Sequence, residues 1–180
     1  MDKRLAVELV PGLAFIAGSF MGGLFLGAGL AAVATAAAVF LRWRWDKSLP
    51  WLAISVFTLS VVLLAAGLVF DDTTYVKISP TIGSLAFAAI IAGGLALRPS
   101  LLRRTLGYSL HMTSRGWAVL HAVWIGLSIV RAGMNEVVWR NVSDAHWAVY
   151  NGLSDFVWLG LFFAVTWFVA NRFWLELDEE

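Results

Sequence analysis

An all-α, polytopic membrane bundle is the fold class this 180-residue sequence predicts, and three observations carry it. The residues are 60% hydrophobic, against about 45–50% in an ordinary soluble domain. Apolar tracts at residues 5–41, 51–70, 80–97, 117–134 and 147–170 each reach the length of about 18 residues that marks a candidate membrane-spanning helix. With the tracts threaded through a bilayer, ten of the 13 Lys and Arg residues gather on one side. These are Lys3, Arg4, Arg42, Arg44, Lys47, Arg98, Arg103, Arg104, Arg115 and Arg172; Lys77 and Arg140 stand opposite, and Arg131 lies within a span. Positive charge flanking spans stays on the cytoplasmic side. The predicted orientation therefore has both termini inside.

Taken in order, Met1–Arg4 followed by an apolar run has the look of a signal peptide. Glu8 and Pro11 fall where its apolar core should begin, and hydrophobicity continues to Leu41, so the reading is a retained span. Pro11 suits a first helical turn, where its missing donor costs nothing. Ala14, Gly18 and Gly22 are four apart, as are Gly23, Gly27 and Ala31, and small residues at that spacing let helices approach closely in lipid. Gly22 and Gly23 are the expected turn of a hairpin. A turn there leaves a first arm of about 12–17 apolar residues, which either spans or dips back. The expected spans are therefore 5–22, 24–41, 51–70, 80–97, 117–134 and 147–170, five or six in all, in one integral membrane domain covering 1–180.

Residues 42–50 make a basic inside loop and 71–79 a polar outside loop, closed by Pro80 at a helix start. Residues 98–116 form the longest connection. Its Leu101, Leu102, Arg103, Arg104 and Leu106 predict a short helix lying in the inner interface, drawn to anionic lipid by its arginines. Residues 135–146 are the second outside loop. Trp43, Trp45, Trp51, Trp117, Trp139, Trp147 and Trp174 fall at span ends, where amphipathic rings collect at headgroup level. The acidic tail from Glu176 is expected to be soluble and frayed.

Net charge is +1 and there is no cysteine. The first provides no field for nucleic acid, and the second excludes a disulfide framework and a thiolate site. His111, His121 and His146 lack metal-ligand spacing, and no nucleophile-elbow, phosphate-loop or dinucleotide motif is present. The expectation is a non-enzymatic protein with no cofactor and no metal.

The candidate site lies on two helices. Trp117, His121, Trp124, Ser128, Arg131 and Asn135 step by 4, 3, 4, 3 and 4, which puts them on one helix face. Asn151, Ser154, Asp155 and Trp158 make a similar stripe on the next helix. Such stripes are expected to face each other or a shared cavity, as a hydrogen-bonded bundle core or as a pocket for a lipid headgroup or small solute. Asp155, about 12 Å into its span, is read as an interhelical clasp with Arg131, as a neutral acid, or as a proton- or substrate-handling group.

An ordered set of short motifs resembles the intracellular septation protein A family over most of the chain. Glu8-Leu9-Val10-Pro11 is similar to its acidic-x-x-Pro start. Phe70-Asp71-Asp72 through Lys77, then Pro80-Thr81-Ile82, resembles its polar loop, Lys and P-T-I entry. Arg98-Pro99 and the run from Leu101 to Gly107 resemble its basic-Pro and M-L-G segment. Trp117, Leu120, Trp124 and Asn135 match its W-x-x-L-x-x-x-W…N pattern, and Trp147 and Tyr150 stand at its W-x-x-F. Ile78 and Ser79 depart from a common W-K, and Asn151 from a Lys. The resemblance implies a bacterial inner-membrane protein of septation, envelope biogenesis and membrane integrity. It implies division or envelope-synthesis membrane proteins as partners, alongside membrane lipids, and brings no catalytic residues. A scaffold is the leading expectation. A small lipid- or solute-handling transporter using Arg131 and Asp155 is one alternative, and an accessory subunit docking through the Gly-rich first helices is another.

Overall fold

Two adjacent glycines decide how the chain begins. The computed structural model describes residues 3–47 and 51–175; the side chains of 3–8, 46, 51–53, 55 and 56 lie outside the described set. Its elements are α1 Lys3–Asp46, α2 Trp51–Phe70, α3 Thr74–Gly93, a 3-10 turn Gly94–Ala96, α4 Leu101–Leu106, α5 Ser114–Asn141 and α6 Asp144–Arg172. Among the described residues, Leu9–Trp45, Thr74–Ala96, Ser114–Asn141 and Asp144–Arg172 are long and apolar enough to cross a membrane, and Phe57–Phe70 is a shorter apolar stretch.

The helix α1 is not one rod. Gly22 has φ −154° and ψ 26°, and Gly23 has φ 81° and ψ 179°, a left-handed φ that glycine adopts without the steric cost of a β-carbon. A β-carbon on Gly18 would lie 2.8 Å from Gly27 Cα. Nine residues along a straight helix would separate these two positions by about 13.5 Å, so the chain folds back on itself. The arms cover residues 3–21 and 24–46, about 28 and 34 Å of helix. The first arm is thus longer than its apolar core alone predicted. Pro11 lies inside it, not in the first turn, because helical backbone continues through the charged residues before the apolar run.

The described residues form two bodies, one within 3–83 with 135–155 and the other within 84–134 with 156–175. In the first, α1 packs on α2, and Phe15, Leu24, Val76, Trp147 and Ala148 form the core. Phe15 meets Trp147 edge-on, with ring centroids 5.7 Å apart. A β-carbon on Gly152 would lie 2.5 Å from Ile16 Cγ1, so α6 approaches the first arm closely at this glycine. The helix α2 closes with Asp71 at φ 50° and a bond from Asp72 N–H to Gly67 O at 3.0 Å, the 6→1 bond of a Schellman ending. Asp72 Oδ1 then accepts from Thr74 N–H at 2.8 Å and caps α3. That backbone bond, a second one from the Thr74 side chain and the Lys77 charge hold the exposed Asp72 carboxyl below its ordinary value.

In the second body the core is Ile91, Leu102, Met112, Trp117, Leu120, Val169 and Ala170. The connection before α5 pairs with the chain after α6. Thr113 N–H donates to Phe173 O at 3.0 Å, and Leu175 N–H donates to His111 O at 2.9 Å. The short helix expected in the basic connection is α4, with Leu102 buried and Arg103 and Arg104 exposed. The acidic residues from Glu176 onward lie outside the described residues, as do Ser48, Leu49 and Pro50 of the first basic loop.

Two loops and two tryptophans differ from the sequence expectation. The 71–79 loop shrinks to 71–73, and Pro80 stands within α3 instead of opening it. The 135–146 loop shrinks to 142–143, between Asn141 and Asp144. Trp147 and Trp117 are 1% and 5% exposed, packed in cores instead of lying in a headgroup belt. Trp43, Trp45 and Trp174 are exposed. The charged residues that seemed to end the spans are carried on helix, because several of them have partners there.

Candidate functional site

Within the first body, parts of α3, α5 and α6 converge on Asn135, which is 1% exposed. Pro80 lacks the N–H that would bond to the carbonyl four residues back, and this loosens the ladder of α3. Into that turn Asn135 Nδ2 donates to Lys77 O at 2.8 Å and to Thr81 Oγ1 at 2.9 Å. Asn135 Oδ1 accepts from Trp147 Nε1 at 3.1 Å. These bonds fix the amide's orientation, since the carbonyl oxygen cannot donate to Lys77 O. Thr81 Oγ1 passes its own hydrogen to Glu136 Oε1 at 2.8 Å. Glu136 Oε2 in turn accepts from Arg140 Nε at 3.0 Å and Nη2 at 2.8 Å. Arg140 also lies 4.2 Å over the Trp139 ring. Beside this chain, Lys77 Nζ pairs with Asp144 Oδ1 at 2.6 Å. The result is one continuous polar clasp across three helices.

The second body holds a different arrangement. The face of α5 bearing Trp117, His121 and Ser128 is buried. Ser128 Oγ donates to Trp124 O at 2.8 Å, and Trp124 Nε1 donates to Thr166 Oγ1 at 3.0 Å. The Trp124 ring also meets Phe162 at 5.2 Å. His121 is 1% exposed. Its Nδ1 lies 2.7 Å from Trp117 O, so Nδ1 carries the hydrogen, while Nε2 is buried with no partner among the described residues. His121 lines a cavity of about 400 Å³, together with Arg98, Ser100, Arg103, Ser114 and Trp117.

The predicted residues therefore separate. Asn135, Lys77, Pro80, Thr81 and Trp147 come together; Trp117, Trp124, His121 and Ser128 lie in the other body. Arg98 and Arg103 line the cavity, and Arg104 and Arg115 do not. Arg131 is half-buried. On α6, Asn151 and Ser154 are half-buried, and Ser154 Oγ donates to its own helix at Asn151 O, 3.2 Å away. Trp158 of this stripe is buried, and Asp155 is exposed where an inward position was expected; the neighbouring Gly152 is buried as well. Gly18 and Gly27 close the hairpin against each other, so they do not offer the free docking face of the accessory-subunit reading. Ala14 is half-buried, and Gly22 and Gly23 are exposed at the turn. The side chain of Glu8 lies outside the described residues.

Glu136, Arg140 and Asp144 were missed, because all three fell in the expected outside loop. Glu136 and Arg140 are four apart, and that helical pairing signal was present in the sequence.

The family model described as intracellular septation protein A matches residues 3–176. The chain belongs to this family. The chain is 32% identical over 161 residues to the inner membrane-spanning protein YciB of Afipia carboxidovorans, covering 86% of this chain and 80% of that one. It is 31% identical over 154 residues to the protein of the same name from Nitrobacter hamburgensis, covering 82% and 77%. No solved structure matches. As a member of the septation protein A family with several long apolar helices, the protein resides in the inner membrane. Lys77, Thr81, Asn135 and Trp147, four of the positions that carried the resemblance, are joined in the clasp.

Proposed function

We propose that the protein supports septation and envelope biogenesis as a non-enzymatic scaffold, holding division or envelope-synthesis membrane proteins, with both termini cytoplasmic. The observation that carries this reading is the clasp around Asn135. Its amide, hydroxyl, carboxylate and indole groups are mutually hydrogen-bonded. Satisfied buried networks of this kind fix one arrangement of the backbone. A proton relay or catalytic centre needs a group poised to change partners, whereas a scaffold needs a fixed shape.

The test has two parts. Full-length protein is recovered from its native membrane in nanodiscs, and the proteins that accompany it are identified by mass spectrometry. Division or wall-synthesis membrane proteins at near-stoichiometric yield are expected; their absence would overturn the scaffold. In cells lacking the chromosomal copy, Asp155→Asn is expected to restore septation fully. Loss of septation with normal protein levels would return the relay to consideration and remove the non-catalytic reading.

A further inference from the structure

The geometry points to the cavity at His121 as a binding site for a phosphate group, carried by an anionic membrane phospholipid. The inference is independent of the scaffold reading. It starts from an atom that lacks a partner. His121 Nδ1 is committed to the Trp117 carbonyl, which leaves Nε2 buried and without a partner among the described residues. Buried polar atoms are nearly always paired, and one left alone is costly. The residue lines a cavity of about 400 Å³, within the range of small-ligand sites.

The rest of the lining selects the ligand. Arg98 and Arg103 bring two guanidinium groups, and Ser100 and Ser114 bring hydroxyls. Among the described residues, no acidic side chain lines the cavity. Arginine forks match phosphate oxygens geometrically. Ser114 is also the first residue of the 28-residue α5, whose positive end favours an anion. From Ser114 to His121 is seven residues, about 10 Å along the helix, so the lining runs from exposed arginines to a buried imidazole. Leu95 and Leu97 also line it and are exposed, which suits acyl chains beside a phosphate. The cavity adjoins the end of the membrane-crossing segment Thr74–Ala96, where headgroups lie. A free phosphate ion shares the same recognition chemistry, and the experiment separates the two sources.

Native mass spectrometry of the full-length protein, with phosphatidylglycerol or phosphatidylcholine added in detergent, reads the lipid retained. One phosphatidylglycerol per chain is expected, held about tenfold better than phosphatidylcholine. The double variant Arg98→Gln/Arg103→Gln is expected to lower retention about tenfold. Arg104→Gln/Arg115→Gln removes as much charge from the same segment but not from the cavity, and is expected to leave retention within about twofold. Equilibrium dialysis against radiolabelled inorganic phosphate is the second arm. One phosphate ion per chain, lost in the Arg98/Arg103 variant, with no phosphatidylglycerol preference, would uphold the phosphate site and overturn the lipid as its source. His121→Phe is expected to weaken the same binding; if it fails to fold, the arginine pairs decide alone. Equal losses from the two arginine pairs would mean general surface attraction and overturn the site. Neither probe binding stoichiometrically would overturn it as well.

Discussion

Replacing Asn135 by leucine is expected to lower stability by about 3 kcal/mol. The substitution keeps the branched outline and removes three hydrogen bonds, to Lys77 O at 2.8 Å, to Thr81 Oγ1 at 2.9 Å and from Trp147 Nε1 at 3.1 Å. Each bond contributes about 1 kcal/mol net in a soluble protein, and about 0.6 kcal/mol on average in a membrane bundle. Three bonds therefore amount to about 2–3 kcal/mol. Trp147, 1% exposed, then keeps an indole N–H with no partner, which adds about 1 kcal/mol. Thr81 suffers less, since its hydroxyl still donates to Glu136. For a chain of this length, about 3 kcal/mol corresponds to a fall of about 6–12 °C in Tm, read by thermal unfolding in detergent. Trp147→Phe removes the N–H and keeps a ring for the edge contact with Phe15. It is expected to cost about 1–2 kcal/mol. In the double-mutant cycle the pair should show a coupling of about 1 kcal/mol. A Tm for Asn135→Leu within about 1 °C of wild type, or strict additivity of the two variants, would refute the clasp.

Three further outcomes follow from other parts of the fold. Gly27→Ala puts a β-carbon 2.7 Å from Phe15 O and 2.9 Å from Ser19 N, backbone atoms that cannot yield. It should cost about 1–3 kcal/mol, whereas Gly29→Ala, with nothing within 4 Å, should be neutral or stabilising by up to about 1 kcal/mol; equal melting of the two would sink the hairpin packing. Asp72 has a native pKa below its ordinary value of 3.8, so its contribution is complete above that value and is lost as pH falls through the lowered one. An acid titration of unfolding should therefore be flatter for Asp72→Asn than for wild type below about pH 4, and identical curves would remove Asp72 from the capping role. With no native cysteine, an impermeant thiol reagent should label Val142→Cys in intact spheroplasts and Arg104→Cys only after the membrane is opened. The reverse pattern would invert the proposed orientation.

Much of this was legible in the sequence, for a reason that also explains what was not. In lipid, backbone groups must be satisfied within the segment, so a long apolar run translates directly into helix, and adjacent Gly22 and Gly23 were a direct signal for reversal. The 4-3-4-3-4 spacing from Trp117 to Asn135 likewise marked a helix face, and Trp117, His121, Ser128 and Asn135 on it are buried. Helix ends were less legible. Hydropathy reports where lipid is tolerated, and a charge such as Lys77 or Glu136 was taken as the end of a helix when it was the end of the apolar band. An ion pair with Asp144 for Lys77, and with Arg140 for Glu136, lets helix continue past that point. The Lys77–Asp144 pair crosses elements and leaves no spacing in the sequence to detect, whereas Glu136 and Arg140, four apart on one helix, left a spacing that was not used.

Asp155 and Gly18 show a different limit, in which spacing marked a residue without naming its neighbour. A carboxylate within an apolar tract is costly only where nothing polar reaches it. Periodicity placed Asp155 on the stripe with Asn151, but it could not say that the close approach on α6 would be made at Gly152, against Ile16. Small residues at fourfold spacing mark a close approach between helices without naming the partner. At Gly18 the partner is Gly27 of the same hairpin, because a two-residue turn holds the second arm beside the first and makes intramolecular packing the nearest available solution. The same economy applies to Asn135. Its amide bonds Lys77 O and Thr81 Oγ1 of α3 and receives Trp147 Nε1 of α6, so one polar side chain on α5 ties three helices together. A scaffold in lipid gains its fixed shape from such shared satisfaction, since apolarity itself drives no helix against another there.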